Sequence, residues 1–402
     1  MAHHITPRLS ETKTTMDGLG SKVFAISGII GLVGLIVAVV FGMQTDDSMR
    51  HFSFSYLVNY AYFLSISLGA FTFIPLMFVT KASWNVVLRR LAEVTVAVMP
   101  VLALLAIPVI YFSSNIYGWA APGAEHIHAL KHKAGYLNQT AFAIRWVIYF
   151  AIWTGYSLFY WRSSVRQDTT GDVEITKKME KLSGSAILIG ALTIAAAAFD
   201  LVMSIDPLWF STIFGIYYWC GGFVTFFAML TLAIMGLQNS GRMEKIISPE
   251  HFHDLGKLMF AFTFFWGYIA FSQYMLYWYA NIPEETSWFL RRSVNGWGIV
   301  GFVTLFATLL LPFAGLISYY AKRNRKMMAF WGFWIPIAQW INLYWVIMPE
   351  FSDSFIFSPM DVALFFGIGG IWFAAIVKLA SQNSLVPTKD PRLEDSLRFE
   401  NA

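Results

Sequence analysis

Apolar positions in this chain gather into long, nearly unbroken runs, separated by short stretches rich in Pro, Trp, Asn and charged residues. Ten runs stand out, at about residues 23–43, 54–80, 91–112, 141–160, 183–204, 210–237, 258–280, 297–320, 328–348 and 362–380. Each is about 20 residues or longer, and a helix of that length crosses ~30 Å of hydrocarbon. The short alternating segments of a membrane β-barrel are not found. The pattern predicts an all-α polytopic membrane protein of about ten transmembrane helices.

Charge fixes the expected orientation. If the ten runs alternate in direction, 22 of the 28 lysines and arginines fall on the side of the N-terminus, which is expected to be the cytoplasmic side for both termini. The opposite side holds Arg50, Lys131, Lys133, Arg291 and Arg292, with Arg145 just inside a span. The loops there, 113–140, 206–209, 281–295 and 349–361, are poor in basic residues, and Trp119, Trp209, Trp288 and Trp297 suit the interfacial belt. Residues 1–22, with Pro7, Arg8, Lys13 and Asp17, precede any apolar run and read as a cytoplasmic surface arm, not a cleaved signal peptide. Residues 381–402 read as a cytoplasmic tail.

A short internal echo hints at a repeat. Asp200-Leu201 followed by Pro207 recurs as Asn342-Leu343 followed by Pro349, and Asn115-Ile116 recurs as Asn281-Ile282. Spans 2–5 (54–204) and 6–9 (210–348) would then be two four-helix bundles in one orientation, flanked by spans 1 (23–43) and 10 (362–380).

Composition agrees with the span pattern and narrows the chemistry. Hydrophobic residues make up 57% of the chain, charged residues 13%, and the mean hydropathy is +0.56. The lone Cys220 excludes disulfides, Cys-ligated zinc and iron–sulfur clusters built from this chain alone. All eight histidines, His3, His4, His51, His126, His128, His132, His251 and His253, lie in tails, loops or at span ends, so no transbilayer haem is expected. His126, His128 and His132 are either a surface metal site or a solvated loop. No nucleotide-binding or hydrolase motif occurs, and nothing points to nucleic acid.

What remains is a set of polar groups in or beside the spans. Asp200 is the most expensive, because a carboxylate in an apolar helix costs a few kcal/mol. It needs a partner, and Arg145, at similar depth in the fourth span, is the expected one. The pair is either a proton-exchanging site or a structural tie holding two helices in register. Glu93, one turn from Arg89 and Arg90, is either a local salt bridge or a proton-uptake group, and Lys257 can snorkel to the interface. Tyr60, Tyr62, Tyr217, Tyr218, Tyr268, Tyr274 and Tyr277, with Ser65, Ser67, Ser272 and Gln273, offer either a hydrogen-bonded lining or ordinary helix packing.

Three stretches then carry a resemblance: FDLVMSIDPLWFSTIFGIYY (199–218), FSQYMLYWYANIPEETSWFLRRS (271–293) and NLYWVIMPE (342–350). They resemble the NrfD-like (polysulfide reductase NrfD family) integral membrane subunits of bacterial quinol-oxidising complexes. The nearest likeness is to the second, F-type subunit of alternative complex III, a quinol:cytochrome c oxidoreductase, over essentially the whole chain. The resemblance implies ten helices in two four-helix bundles plus two flanking helices, in the bacterial inner membrane. It implies a sister NrfD-like subunit, periplasmic multihaem cytochrome and iron–sulfur subunits, other small membrane subunits, lipids and a terminal oxidase as partners. The implied role is a scaffold and proton-translocating element with no cofactor of its own, menaquinone or its quinol being the small molecule in prospect. Half-channels are expected from Glu93 and Lys257 on the inside and from Arg145, Asp200, Asp206 and Glu285 on the outside, with Tyr60, Tyr62, Tyr218, Tyr274, Gln273 and Asn342 as polar lining. A quinol-binding subunit in its own right and a secondary transporter stay open as alternatives.

Overall fold

The computed structural model describes residues 9–126 and 128–401, so His3, His4, Pro7 and Arg8 of the arm lie outside it. Ten long helices follow in chain order: α1 (Asp17–Gly42), α2 (Asp46–Val79), α3 (Val86–Tyr111), α4 (Gln139–Thr170), α5 (Val173–Leu201), α6 (Phe214–Asn239), α7 (Pro249–Ala280), α8 (Trp297–Leu316), α9 (Arg325–Ile347) and α10 (Pro359–Ala380). Nine of them, among the described residues, are long and apolar enough to cross a membrane. The exception is α9, whose Trp, Tyr, Gln and Asn residues lower its hydropathy although it packs lengthwise against α6, α8 and α2.

Several helices outrun the apolar runs that predict them. Helix α2 begins at Asp46, α5 at Val173 and α7 at Pro249, each one to three turns before its apolar run. Hydropathy marks only the hydrocarbon-crossing part, whereas the helix starts where a side chain caps its free N–H groups. Thr45, Asn138, Asp172 and Ser358 do this for α2, α4, α5 and α10. Helix α3 is broken at Val98 and Ala106 into three stacked pieces, because Pro100 and Pro108 each remove a backbone donor and crowd the preceding turn. Tyr56 and Tyr60 of α2 donate to the carbonyls of Leu105 and Leu102 in that broken stretch. Helix α8 carries a wider, π-type turn over Phe306–Leu310, just before Pro312.

Two four-helix rings organise the molecule. In the first, α2 packs on α3, α3 on α4, α4 on α5 and α5 on α2; in the second, α6, α7, α8 and α9 close in the same way. The rings meet chiefly at α2 and α6. There a Cβ on Gly222 would lie 2.4 Å from the carbonyl oxygen of Ser65, so the two backbones touch and only glycine fits. Helix α2 is consequently buried along nearly its whole length.

The flanking helices form a pair. Helix α10 packs on α2, and α1 packs mainly on α10 through Ser27, Gly31, Gly34 and Ala38 facing Ala363, Gly367 and Gly370. Small residues at this spacing let helices approach closely where no hydrophobic force between helices operates in lipid. The outer face of α1 exposes Ile26, Ile29, Val33 and Ile36.

The first and last described residues, Leu9 and Asn401, lie at one end of the bundles, called here the terminal end; the opposite end is the far end. The tail after Ala380 is no free appendage. Leu385 donates its N–H to Thr14 O (2.7 Å), and Ser396 donates to Trp84 O (2.7 Å) while its own carbonyl meets His251 Nε2 (3.1 Å).

Candidate functional site

Asp200 sits one residue before the end of α5 and is fully buried. Arg145, in the second turn of α4, grips it with both arms: Nε donates to Oδ2 (2.8 Å) and Nη2 to Oδ1 (2.9 Å). Tyr149, one turn further along α4, donates a third hydrogen bond to Oδ2 (2.9 Å). The fork-to-carboxylate geometry is the strongest pairing two side chains offer.

The far-end loop roofs this site. Arg145 Nη1 donates to Tyr136 O (2.8 Å), and the guanidinium lies 3.8 Å from the Tyr136 ring centroid. Tyr117 donates to Leu201 O and the Trp119 indole to Ser204 O, tying the loop to the end of α5. Burial, and then the Asp200 carboxylate, push the Tyr136 hydroxyl up to about 12. Arg145 keeps 17% of its side chain exposed and Asp200 none, so the carboxylate is covered by the guanidinium and by half-exposed Tyr136.

From this pair a polar stripe runs the length of α4. Arg145, Tyr149, Trp153, Ser157, Tyr160, Ser164 and Asp168 recur every three or four residues and therefore share one face. Trp153 Nε1 donates to Thr193 Oγ1 (3.0 Å), Tyr156 Oη to Ser185 Oγ (3.2 Å), and Tyr160 Oη lies 2.8 Å from Ser183 Oγ, all across to α5. At the terminal end the stripe reaches a buried charge cluster. Arg90 Nη2 donates to Ser164 Oγ (3.1 Å) and Asp168 Oδ2 (2.8 Å), and its Nε to Glu93 (3.0 Å). Arg89 bridges Glu93 (2.9 Å) and Asp390 of the tail (2.5 Å). Glu93 is fully buried and both arginines are almost so.

The second ring is built differently. At its centre Tyr217 donates to Asn342 Oδ1, whose amide donates to Gln339 (3.2 Å). With Tyr62 and Tyr218 these line a void of about 10 Å³, room for a single water. Tyr62 and Tyr218 donate to the carbonyls of Pro336 and Ala61, so their hydroxyls bind helices together. Along one face of α7, the buried polar atoms Thr263 Oγ1, Trp266 Nε1 and Gln273 Oε1 find no hydrogen-bond partner among the described residues. A buried charge cluster of this ring sits at the far end, where Arg292 donates to Glu350 (2.9 Å) and Val346 O (2.6 Å) and lies 3.5 Å over the Trp288 ring. Burial pushes Arg292 down to about 10 against the pull of Glu350, so it stays cationic at neutral pH. Arg291 also pairs with Glu350 and lies 3.7 Å from Asp206.

Of the residues singled out from sequence, Arg145 and Asp200 come together. Asp206 does not join them: it accepts the N–H groups of Leu208 and Trp209 in its own turn and faces the Arg291–Glu350 cluster. Glu285 lies in the first turn of the short far-end helix Pro283–Arg291, where a negative charge suits the helix dipole. Glu93 and Lys257 stand on different rings. Glu93 is clamped, whereas Lys257 is half-exposed, paired with Asp254 (2.5 Å) and donating to Asn401 (2.9 Å). Tyr60 is buried against α3, and half-exposed Tyr274 packs edge-on against Phe289.

Two features were not anticipated. The α4 stripe is written in the four-residue spacing of its polar positions. The second feature is His51 of α2, whose Nε2 lies 3.3 Å from the fully buried Asp361 of α10. Asp361 also accepts from Tyr344 (2.9 Å) and from the Ser358 N–H (2.7 Å), and His51 stacks on Phe351. No local signal joins residues 310 positions apart. His128 and His132 have ring centroids 5.9 Å apart, and among the described residues no three His, Cys, Asp or Glu side chains gather in metal-binding range.

The fold and geometry define a polytopic all-α membrane protein with a buried ion pair in one of two helical rings. A comparison with protein-family models finds no match, and a search among curated proteins finds none either.

Proposed function

We propose that this chain is an integral membrane subunit of a quinol-oxidising respiratory complex of the alternative complex III type, acting as a scaffold and as a proton-translocating element without a redox centre. In this reading it lies in the bacterial inner membrane with the terminal end in the cytoplasm. It works beside a sister NrfD-like subunit, periplasmic multihaem and iron–sulfur subunits, further small membrane subunits and a terminal oxidase.

The observation that carries the reading is the Arg145–Asp200–Tyr149 site standing at one end of the α4 stripe, with the Arg90–Glu93 cluster at the other. Further support comes from the three stretches with the family resemblance: Asp206, Arg291, Arg292 and Glu350, drawn from all three, meet in one far-end cluster. The chemistry follows from the burial. While Arg145 holds both oxygens the pair is closed; if the partly exposed guanidinium withdraws, the buried carboxylate is left without its counter-ion, and in this reading that opening is where protons are exchanged. Tyr149, Ser157, Tyr160 and Ser164 both donate and accept, whereas the Trp153 indole only donates, so a proton passing that point has to travel by water.

The test is Asp200→Asn in the reconstituted complex. Quinol:cytochrome c electron transfer is expected to continue while proton translocation is lost; translocation at the wild-type ratio removes Asp200 from the mechanism. A quinol-binding role is the second reading, favoured by the His51–Asp361–Tyr344 group, since a buried imidazole beside a carboxylate suits acceptance of a quinol proton. A quinone ring bound beside His51 would establish it.

A further inference from the structure

At the terminal end, the α1–α10 pair stands off from the two rings and leaves an apolar cleft of about 430 Å³. Its walls come from α1 (Leu19), α3 (Val94), α6 (Ala233 and Gly236) and α10 (Ile376). Interiors pack with few voids larger than a water, so a space of this size calls for an occupant. Ala233 and Gly236 are exposed, so the cleft opens along α6 to the surroundings, which at this depth are hydrocarbon.

The cleft rejects water and quinone rings alike. Its polar side chains are already committed: Thr95 donates to Leu91 O (2.8 Å), Ser240 to Leu237 O (2.7 Å), and the Trp372 indole to Ser67 Oγ (2.8 Å). A quinone carbonyl needs a donor, and the side chains of the cleft walls leave none free. A hydrocarbon chain needs only contact.

A charge sits beside the terminal end of this cleft. Arg242 donates to Thr15 O (2.9 Å), Met16 O (2.8 Å) and Ser240 O (2.9 Å), and Met16 and Ser240 are themselves wall residues. All three acceptors are neutral carbonyls, and among the described residues no carboxylate pairs with this guanidinium. A guanidinium without a carboxylate partner among the described residues is therefore held at the end of a chain-sized apolar slot.

We infer that the cleft binds one anionic phospholipid, an acyl chain filling the slot and the phosphate lying against Arg242. The site is independent of the proton-translocation reading. The lipid would complete the packing between the flanking pair and the rings, filling a gap that α1 and α10 do not close themselves.

The test uses the protein purified with its native partners, stripped in detergent and re-equilibrated with phosphatidylglycerol or phosphatidylcholine, with retained lipid counted by native mass spectrometry. Wild type is expected to keep one tightly held lipid and to prefer phosphatidylglycerol. In Gly236→Trp the indole enters the slot, since a Cβ at Gly236 meets no atom within 4 Å, and the lipid is expected to be lost with either headgroup. Arg242→Gln should keep a lipid but lose roughly fivefold of its preference for phosphatidylglycerol, about the effect of one basic residue on an anionic headgroup, while Arg242→Lys keeps it. If Gly236→Trp fails to assemble, the two Arg242 variants still decide. Full lipid retention in an assembled Gly236→Trp, or a phosphatidylglycerol preference that Arg242→Gln leaves unchanged, overturns the site. So does a quinone extracted in place of the phospholipid.

Discussion

At the scale of single residues, the Arg145–Asp200 pair combines a large desolvation cost with near-ideal geometry, and its worth is visible only when one partner goes. Arg145→Leu strands a carboxylate with no exposure, and Asp200→Leu strands a guanidinium over Tyr136. Each single change is expected to cost about 3–5 kcal/mol, and the double change clearly less than their sum, because replacing a whole buried pair by apolar groups is often nearly neutral. A double-mutant cycle on thermal denaturation in detergent reads this directly. Costs that simply add would mean that the two side chains do not depend on each other. The pair was legible in the sequence because two opposite charges stood at matching depth in apolar runs. Tyr149, its third member, was legible only through its spacing from Arg145. The Arg292–Glu350 pair was harder to see, since its residues lie in far-end loops where charge is ordinary, and only their folding against Val346 and Trp288 buries them.

At the scale of elements, the spans were readable because lipid demands long apolar helices, and the order of packing was hinted at by one short repeat. Helix ends were not, because caps such as Thr45 and Asp172 are polar residues among other polar residues. The breaks in α3 follow from Pro100 and Pro108, yet Pro75 and Pro336 sit inside unbroken α2 and α9, so a proline alone does not announce a break. The pairing of α1 with α10 rests on absent side chains. A Cβ on Gly34 would lie 2.6 Å from Ala363 O and 2.7 Å from Gly367 N, both rigid backbone atoms. Gly34→Leu is therefore expected to push the two helices apart at a cost of about 1–3 kcal/mol or more. Thermal denaturation in detergent reads the loss; an unchanged midpoint would show that the contact tolerates bulk.

At the scale of the molecule, the asymmetry of basic residues predicts that the terminal end faces the cytoplasm. The lone Cys220 is buried, which simplifies the check. With Cys220→Ser as background, Ser354→Cys at the far end should react with an impermeant maleimide added outside spheroplasts, and Asp395→Cys should not until the membrane is opened. The reverse pattern would invert the orientation. The fold-back of the tail was the least legible part of the chain, because residues after Ala380 are polar and aperiodic, and their partners lie hundreds of positions away. That distance carries a consequence in time. Asp390, which neutralises Arg89, is made 301 residues after it, or about 15–60 s later at ~5–20 residues per second. Throughout that interval Arg89 and Arg90 have only Glu93 and, once α4 is made, Asp168 to balance them. The first ring thus stays electrostatically unfinished until the second is inserted, and emergence of the segment around Asp390 is itself the step that locks the earliest bundle shut.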